Sequence, residues 1–283
     1  MGGGGGSTGP SGNYKQKLEE SKKASEDASF ESDVNGIMNE KLKDYNDRDS
    51  DKFKHHLDDI KEIIESRFEG AIKLRFGGSV SKNTYVDGLS DADILMLIND
   101  SELSDYPPDQ VLAYVKKELS GKLSDVEEIK TGSMAVTIKF RDGCEIQLIP
   151  AVGTKTGYKV PKRDSNEWSN VVRPDRFAQK LTEVNQSCGG KVIPTIKLAK
   201  GIIANLPDDQ RLTGYHIESL AIEVFKDYPR KLPNTPKAML KYFFKKAADR
   251  VTKPITDSSG QSVHTDDYLG SAYNPERSRV QRT

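Results

Sequence analysis

Phe76-Gly77-Gly78-Ser79-Val80, followed by Thr84 and then by Ser90-Asp91-Ala92-Asp93-Ile94-Leu95-Met96, is the stretch that decides how this chain is read. Glycines after a strand let the backbone turn sharply and bring amide groups close to an anion, and the Ser79 hydroxyl adds a donor. A Gly-Gly-Ser turn taken by itself reads first as an ordinary loop. Asp91 and Asp93 stand at i and i+2 where a strand begins, so the pleat sends both carboxylates to one face. Two adjacent anions repel, and a divalent cation relieves the repulsion. Mg²⁺ takes hard oxygen ligands and commonly shares them with substrate phosphates, which suits two carboxylates beside a phosphate-binding turn. Read as a plain strand start, the same residues form a polar turn with a solvated Asp93. A later strand, Cys144-Glu145-Ile146-Gln147-Leu148, can bring Glu145 beside them as a third carboxylate, a set suited to two metal ions about 3.5–4 Å apart.

Outward from this stretch the hydrophobic period organises the rest of the chain. Residues 1–12, MGGGGGSTGPSG, offer no core side chains and read as a flexible leader. Helical spacing runs over Asp33–Asn46 and, more clearly, over Asp51–Glu69, where Phe53, Leu57, Ile60, Ile63, Ile64 and Phe68 step by three and four before Gly70. Short apolar runs at 71–76, 92–98, 134–140 and 144–149 predict strands, with a helix opened by Pro107 and Pro108 between the second and third. Arg141-Asp142-Gly143 is a tight turn joining the last two strands as a hairpin. Beyond the mixed loop 153–170 the spacing predicts helices over 174–186, 191–205, 215–228 and 236–250, then a polar, basic, frayed tail at 271–283. The expected architecture is α+β, a mixed sheet with helices at residues 13–165 followed by a helical bundle at 166–270, with a cleft between them.

Composition bounds the function. The 283 residues carry 43 basic and 43 acidic side chains, so no net charge favours long nucleic acid. The charge is nevertheless uneven: residues 1–159 hold 22 basic and 29 acidic groups, and 160–283 hold 21 and 14. That split reads either as drift on solvated faces or as an acidic half for cations and a basic half for phosphates. No apolar run approaches the ~20 residues of a bilayer span, and no signal peptide opens the chain. Cys144 and Cys188 are too few for a disulfide scaffold or a four-ligand zinc site, which points to reduced thiols in a cytoplasmic protein.

Gly78-Ser79, the eleven-residue spacer 80–90, the Asp91/Asp93 pair and the apolar strand behind it resemble the motif of the DNA polymerase beta-like nucleotidyltransferase superfamily. The resemblance implies that fold, with Asp91, Asp93 and Glu145 as catalytic carboxylates holding two Mg²⁺ ions, for which Mn²⁺ can substitute. The third position is commonly Asp in that superfamily. Glu145 adds a methylene, which leaves open a contribution from Asp142 or a catalytically silent relative. Pro194-Thr195-Ile196-Lys197-Leu198-Ala199-Lys200 and Thr213-Gly214-Tyr215-His216-Ile217-Glu218-Ser219-Leu220 are similar to helical segments of cyclic GMP-AMP synthase, oligoadenylate synthase and the related bacterial cyclic-oligonucleotide synthases. By that resemblance Gly78, Ser79, Lys200 and Thr213 contact the triphosphate and Tyr215 stacks on the base. From the residues alone, Lys200 is equally a solvated helix charge and Tyr215 a half-buried core aromatic. His216 reads as structural, since no second His or Cys lies at metal spacing. Asp257-Ser258-Ser259-Gly260 and Asp266-Asp267-Tyr268-Leu269-Gly270 resemble the closing loop of the bacterial enzymes, and Asp266 with Asp267 equally form a cap or solvated pair.

The implied activity joins nucleoside triphosphates, ATP among them, into a cyclic di- or trinucleotide with release of pyrophosphate. The product would be a second messenger in bacterial anti-phage signalling, sensed by a downstream effector. The resemblance implies no obligatory nucleic acid, since the two distant cysteines rule out the zinc insertion of the animal DNA-sensing enzyme and no long basic run is visible. The other readings are a nucleotidyltransferase acting on RNA or a protein side chain, and a nucleotide-binding module without activity. Base choice is expected from the cleft wall, with the loop 158–168 a contributor.

Overall fold

The computed structural model describes residues 17, 28–46, 50–68, 70–86, 91–163, 165–229 and 232–283. The leader 1–12 and Ser90 lie outside the described residues. From residue 28 the described elements are helices α1 (Ala28–Asn46) and α2 (Ser50–Arg67), then strand β1 (Gly70–Phe76), a single helical turn α3 (Gly78–Ser81) and strand β2 (Ala92–Ser101). Helix α4 (Pro108–Leu119) precedes β3 (Val126–Thr131), β4 (Val136–Phe140), β5 (Glu145–Gly153) and the short β6 (Tyr158–Lys159). The second half holds α5 (Pro174–Ser187), α6 (Val192–Ile203), α7 (Gly214–Phe225), α8 (Pro236–Arg250) and α9 (Pro275–Arg282). Among the described residues no helix is long and apolar enough to cross a membrane.

The sheet runs β1-β2-β5-β4-β3, with β6 on the free end of β5. Among the described strands β2 and β5 pair in parallel and the other pairs are antiparallel. Central β2 is buried along Ile94-Leu95-Met96, as a strand with neighbours on both sides requires. Helices α2 and α4 cover one face and build a core of Ile60, Ile64, Val111, Leu112 and Val115 against Ile94, Met96, Ile138 and Leu148. Helix α4 begins with Pro at its first position, has Asp109 in the first turn and Lys116 and Lys117 in the last, and so complements its own dipole.

Sequence spacing missed β3. Half of its residues, Glu127, Glu128 and Lys130, are charged, as suits a strand at the sheet edge, where charge discourages pairing with another chain. Helix α1 also differs from expectation. It packs with the helical half, against α6 and α8, through Met38, Leu42 and Tyr45. Gly201 makes room for it, since a Cβ there would meet Tyr45 Oη at 2.0 Å.

The expected frayed tail is instead an ordered helix. Asn274 Oδ1 accepts from Arg277 N at 2.9 Å and caps α9, and Arg277 itself is fully buried. Its guanidinium donates to Asp266 Oδ2 at 2.6 Å and to the carbonyls of Val251 and Gly270. Asp266 is therefore neither a solvated charge nor a simple cap. His216 lies beside this pair; burial, then the Arg277 charge, lower its pKa to about 4 against the pull of Asp266, so the ring is neutral. Arg277→Met strands the Asp266 charge, and we expect a loss of about 3–5 kcal/mol in urea unfolding. Retained wild-type stability in that variant would show that the tail is not anchored by this pair.

Candidate active site

Parallel pairing places the acidic residues. Ala92 is opposite Ile146 and Asp93 opposite Gln147, so Asp91 and Glu145, one position earlier on each strand, stand side by side. Their carboxyls are in hydrogen-bonding contact, and Gln147 Nε2 donates to Asp91 Oδ2 at 2.6 Å. Burial, then the Asp91 charge, push Glu145 above the usual carboxylate range. Burial also raises Asp91. Asp93 is raised further, to about 6, chiefly by burial and against the charge of Lys82. Its carboxyl leans over the turn: a Cβ on Gly78 would sit 1.5 Å from Asp93 Oδ2. Among the described residues no three His, Cys, Asp or Glu side chains converge closely enough to cage an ion unaided. The pair Asp91–Glu145 and the neighbouring Asp93 are thus close but not a preformed cage. Asp142, the other acidic group considered for the third position, is engaged elsewhere, with His56 Nε2 at 2.9 Å and Cys144 N at 3.0 Å.

The glycine turn docks directly onto the acidic strand. Gly77 N donates to Asp93 O at 2.8 Å, and Gly78 takes φ +47°, a left-handed conformation that glycine adopts at little cost. Ser79 is buried and its Oγ has no hydrogen-bond partner. An orphaned hydroxyl at a cleft wall is costly unless a ligand completes it.

From the helical half, Lys200 on α6 donates from Nζ to Thr84 O and to Glu218 Oε1, each at 2.9 Å. Tyr215 opens α7 with its ring 4.6 Å from that of Phe177, and its hydroxyl donates to Asp257 Oδ1 at 2.6 Å. That bond ties the 257–262 loop to the cleft, where Ser259 and Gln261 form part of the wall. Thr213 Oγ1 accepts from His216 N at 3.2 Å and caps α7, and the residue is not in the walls of the two cavities described below.

Lys82 and Glu218 belong to the site and were not singled out from sequence. Lys82 Nζ is 2.8 Å from Glu218 Oε2 and lies over the rings of Phe177 and Tyr215 at 5.1 and 5.4 Å. Burial raises the Glu218 carboxyl, but the charges of Lys82 and Lys200 outweigh it and hold the group below its ordinary range. A signal existed for Glu218, a charge within the apolar run Ile217 to Ile222 on a helix whose other faces are buried.

These residues line two cavities that share Asp91, Lys200 and Gly214. The first, about 410 Å³, holds the glycine turn, Ser79, Lys82, Asp93, Tyr215 and an apolar shelf of Leu95, Ile149 and Val172. The second, about 430 Å³, holds Glu145, Tyr85, Arg211 and Leu212.

Residues 30–185 match the Second Messenger Oligonucleotide or Dinucleotide Synthetase domain family, more than half of the chain. The chain belongs to this family. It is accordingly a second-messenger nucleotidyltransferase. Solved structures share the fold at low identity. The CdnE cyclic dinucleotide synthase of Elizabethkingia meningoseptica, solved with GTP and Apcpp, is 14% identical with a TM-score of 0.62, covering 81% of this chain and 89% of that one. CdnC of E. coli MS115-1, solved with ATP, is 14% identical at a TM-score of 0.54, covering 83% and 74%. The DncV cyclic AMP-GMP synthase of Vibrio cholerae, solved with a linear intermediate, is 10% identical at 0.56, covering 75% and 60%. No curated protein matches the chain.

Proposed function

We propose that this family member condenses nucleoside triphosphates, ATP among them, into a cyclic di- or trinucleotide, releasing pyrophosphate at each bond. The observation that carries the reading is Asp91 in the wall of two cavities, with Asp93, Ser79, Lys82 and Lys200 lining the first and Glu145 lining the second. One nucleotide can lie on each side, with the reacting atoms meeting at the carboxylates. A hydroxyl oxygen of the acceptor sugar forms the new bond to the α-phosphorus of the donor as its proton leaves to solvent, and the bond from that phosphorus to the leaving pyrophosphate breaks. Holding both partners in line supplies much of the rate. Lys82 and Lys200 neutralise charge building on the leaving group, and the Ser79 hydroxyl donates to a phosphate oxygen. Tyr215, backed by the buried Phe177 ring, offers an aromatic surface to the donor base.

The carboxylates fit a divalent cation. Two of them touch and burial raises the proton affinity of all three, so a divalent cation among them would relieve both costs. Asp91, Asp93 and Glu145 would hold Mg²⁺ or Mn²⁺, with phosphate oxygens completing the ligand set. When bound, such ions lower the pKa of the attacking hydroxyl and offset charge in the transition state. The product would serve as a cytoplasmic second messenger in anti-phage defence, read by a separate effector. Incubation with the four ribonucleoside triphosphates and Mg²⁺ or Mn²⁺, followed by phosphatase and mass analysis, tests the reading. We expect a phosphatase-resistant product from free nucleotides alone. Products that phosphatase degrades completely, or turnover only with an added RNA or protein acceptor, would overturn it.

A further inference from the structure

Glu218 lies almost wholly out of solvent, 1% exposed, yet it is an acid facing two lysines. Its Oε1 accepts from Lys200 Nζ and from Thr84 Oγ1, and its Oε2 faces the Lys82 ammonium at 2.8 Å. The four groups come from both sides of the cleft. Lys82 and Thr84 follow the glycine turn of the sheet half, whereas Lys200 and Glu218 lie on α6 and α7 of the helical half. Lys82, Lys200 and Glu218 all reach the wall of the first cavity, beside the orphaned Ser79 hydroxyl.

We propose that Glu218 is a positioning residue for the substrate's polyphosphate, holding Lys82 and Lys200 from behind so that one ammonium from each half faces the cleft. This inference rests on the nucleotidyltransferase reading of the same cavity. The physical reason is the cost of two cations in a small, poorly hydrated volume. Lys82 and Lys200 are 11% and 7% exposed; without an anion between them they repel, and flexible stems carry the ammonium groups out to water. An ammonium has three donors, so Lys200, which donates to Glu218 and to Thr84 O, keeps one for a phosphate oxygen, and the contact of Lys82 with Glu218 does not exhaust its own. The carboxylate therefore orders the lysines before substrate arrives, and the ordering cost is not charged to binding. It also joins the two halves at the point where a nucleotide would bridge them.

Equilibrium binding of a non-hydrolysable nucleoside triphosphate and of the matching monophosphate, with Mg²⁺, separates this role from general loosening. In Glu218→Gln the triphosphate should bind about tenfold more weakly while the monophosphate changes by less than about threefold, so selectivity for the polyphosphate falls. In steady state the loss should appear mainly in KM. Glu218→Asp keeps the charge with a shorter reach; it should restore part of that selectivity, and it serves as the test if the Gln variant does not fold. Unchanged or tighter triphosphate binding in a folded variant overturns the inference, as does an equal loss for both nucleotides. Wild-type protein that binds no triphosphate overturns the site itself, a failure distinct from a wild type that binds and a variant that binds alike.

Discussion

Asp93→Asn should lower turnover by more than about a hundredfold and, in metal-free buffer at pH 8, raise the melting temperature. The catalytic loss follows from removing a charge that stabilises the transition state, worth about 3 kcal/mol or more. The gain in stability follows from linkage. Asp93 titrates near 6 in the folded protein against 3.8 for the free side chain, so the folded state binds the proton more tightly. Stability associated with this group is therefore fullest below pH 3.8 and is lost as pH rises through about 6. By pH 8 the whole penalty is present, at most about 3 kcal/mol, and asparagine removes it. At pH 4 most of the difference should vanish. Melting curves of both proteins at the two pH values check the sign, and a variant that is less stable than wild type at pH 8 would refute it. Mg²⁺ should raise the wild-type midpoint more than the variant's, because only the wild type has this burden to relieve.

Gly78→Ala should be nearly as damaging to turnover, although alanine carries no charge. The new Cβ would stand 1.5 Å from Asp93 Oδ2, 2.5 Å from its Cγ and 2.9 Å from its Cβ, and the backbone at φ +47° disfavours any L side chain. The turn or the carboxylate must move, and a displacement of this size at a reacting centre costs about a hundredfold. The left-handed backbone adds about 1–2 kcal/mol of instability. Gly77→Ala is the internal control. A Cβ there meets Leu95 Cγ at 3.3 Å and Asp93 O at 3.5 Å, contacts that a small shift accommodates. We expect that variant to keep turnover within about tenfold of wild type. Equal activity in the two alanine variants would show that the close approach of Gly78 to Asp93 does not set the carboxylate's place.

Both predictions concern residues legible in the sequence, because their signals are local. A glycine turn, an i/i+2 acidic pair and an apolar strand can be read without knowing what packs on them. The helical half was legible for the same reason: α8 fills residues 236–250 as its spacing predicts, with Thr235 capping Ala238 N and Pro236 in the first turn. Edge strand β3 was not legible, since its exposed position removes the apolar alternation that marks a strand. The tail was misread because Arg277 resembles a surface charge until the buried Asp266 opposite it is known.

The chain's order of residues alone determined the mixed sheet, the helical half and the acidic motif behind a glycine turn, since each arises from periodicity and short-range backbone chemistry. Tertiary structure decided the rest. It brought Glu145 against Asp91 through a parallel pairing across more than fifty residues, sent Asp142 to His56, and folded α1 onto the second half. It also placed Lys82 and Lys200 around one buried carboxylate. Such arrangements depend on which strand lies beside which and on which charges are denied water together, and those are properties of the packed chain.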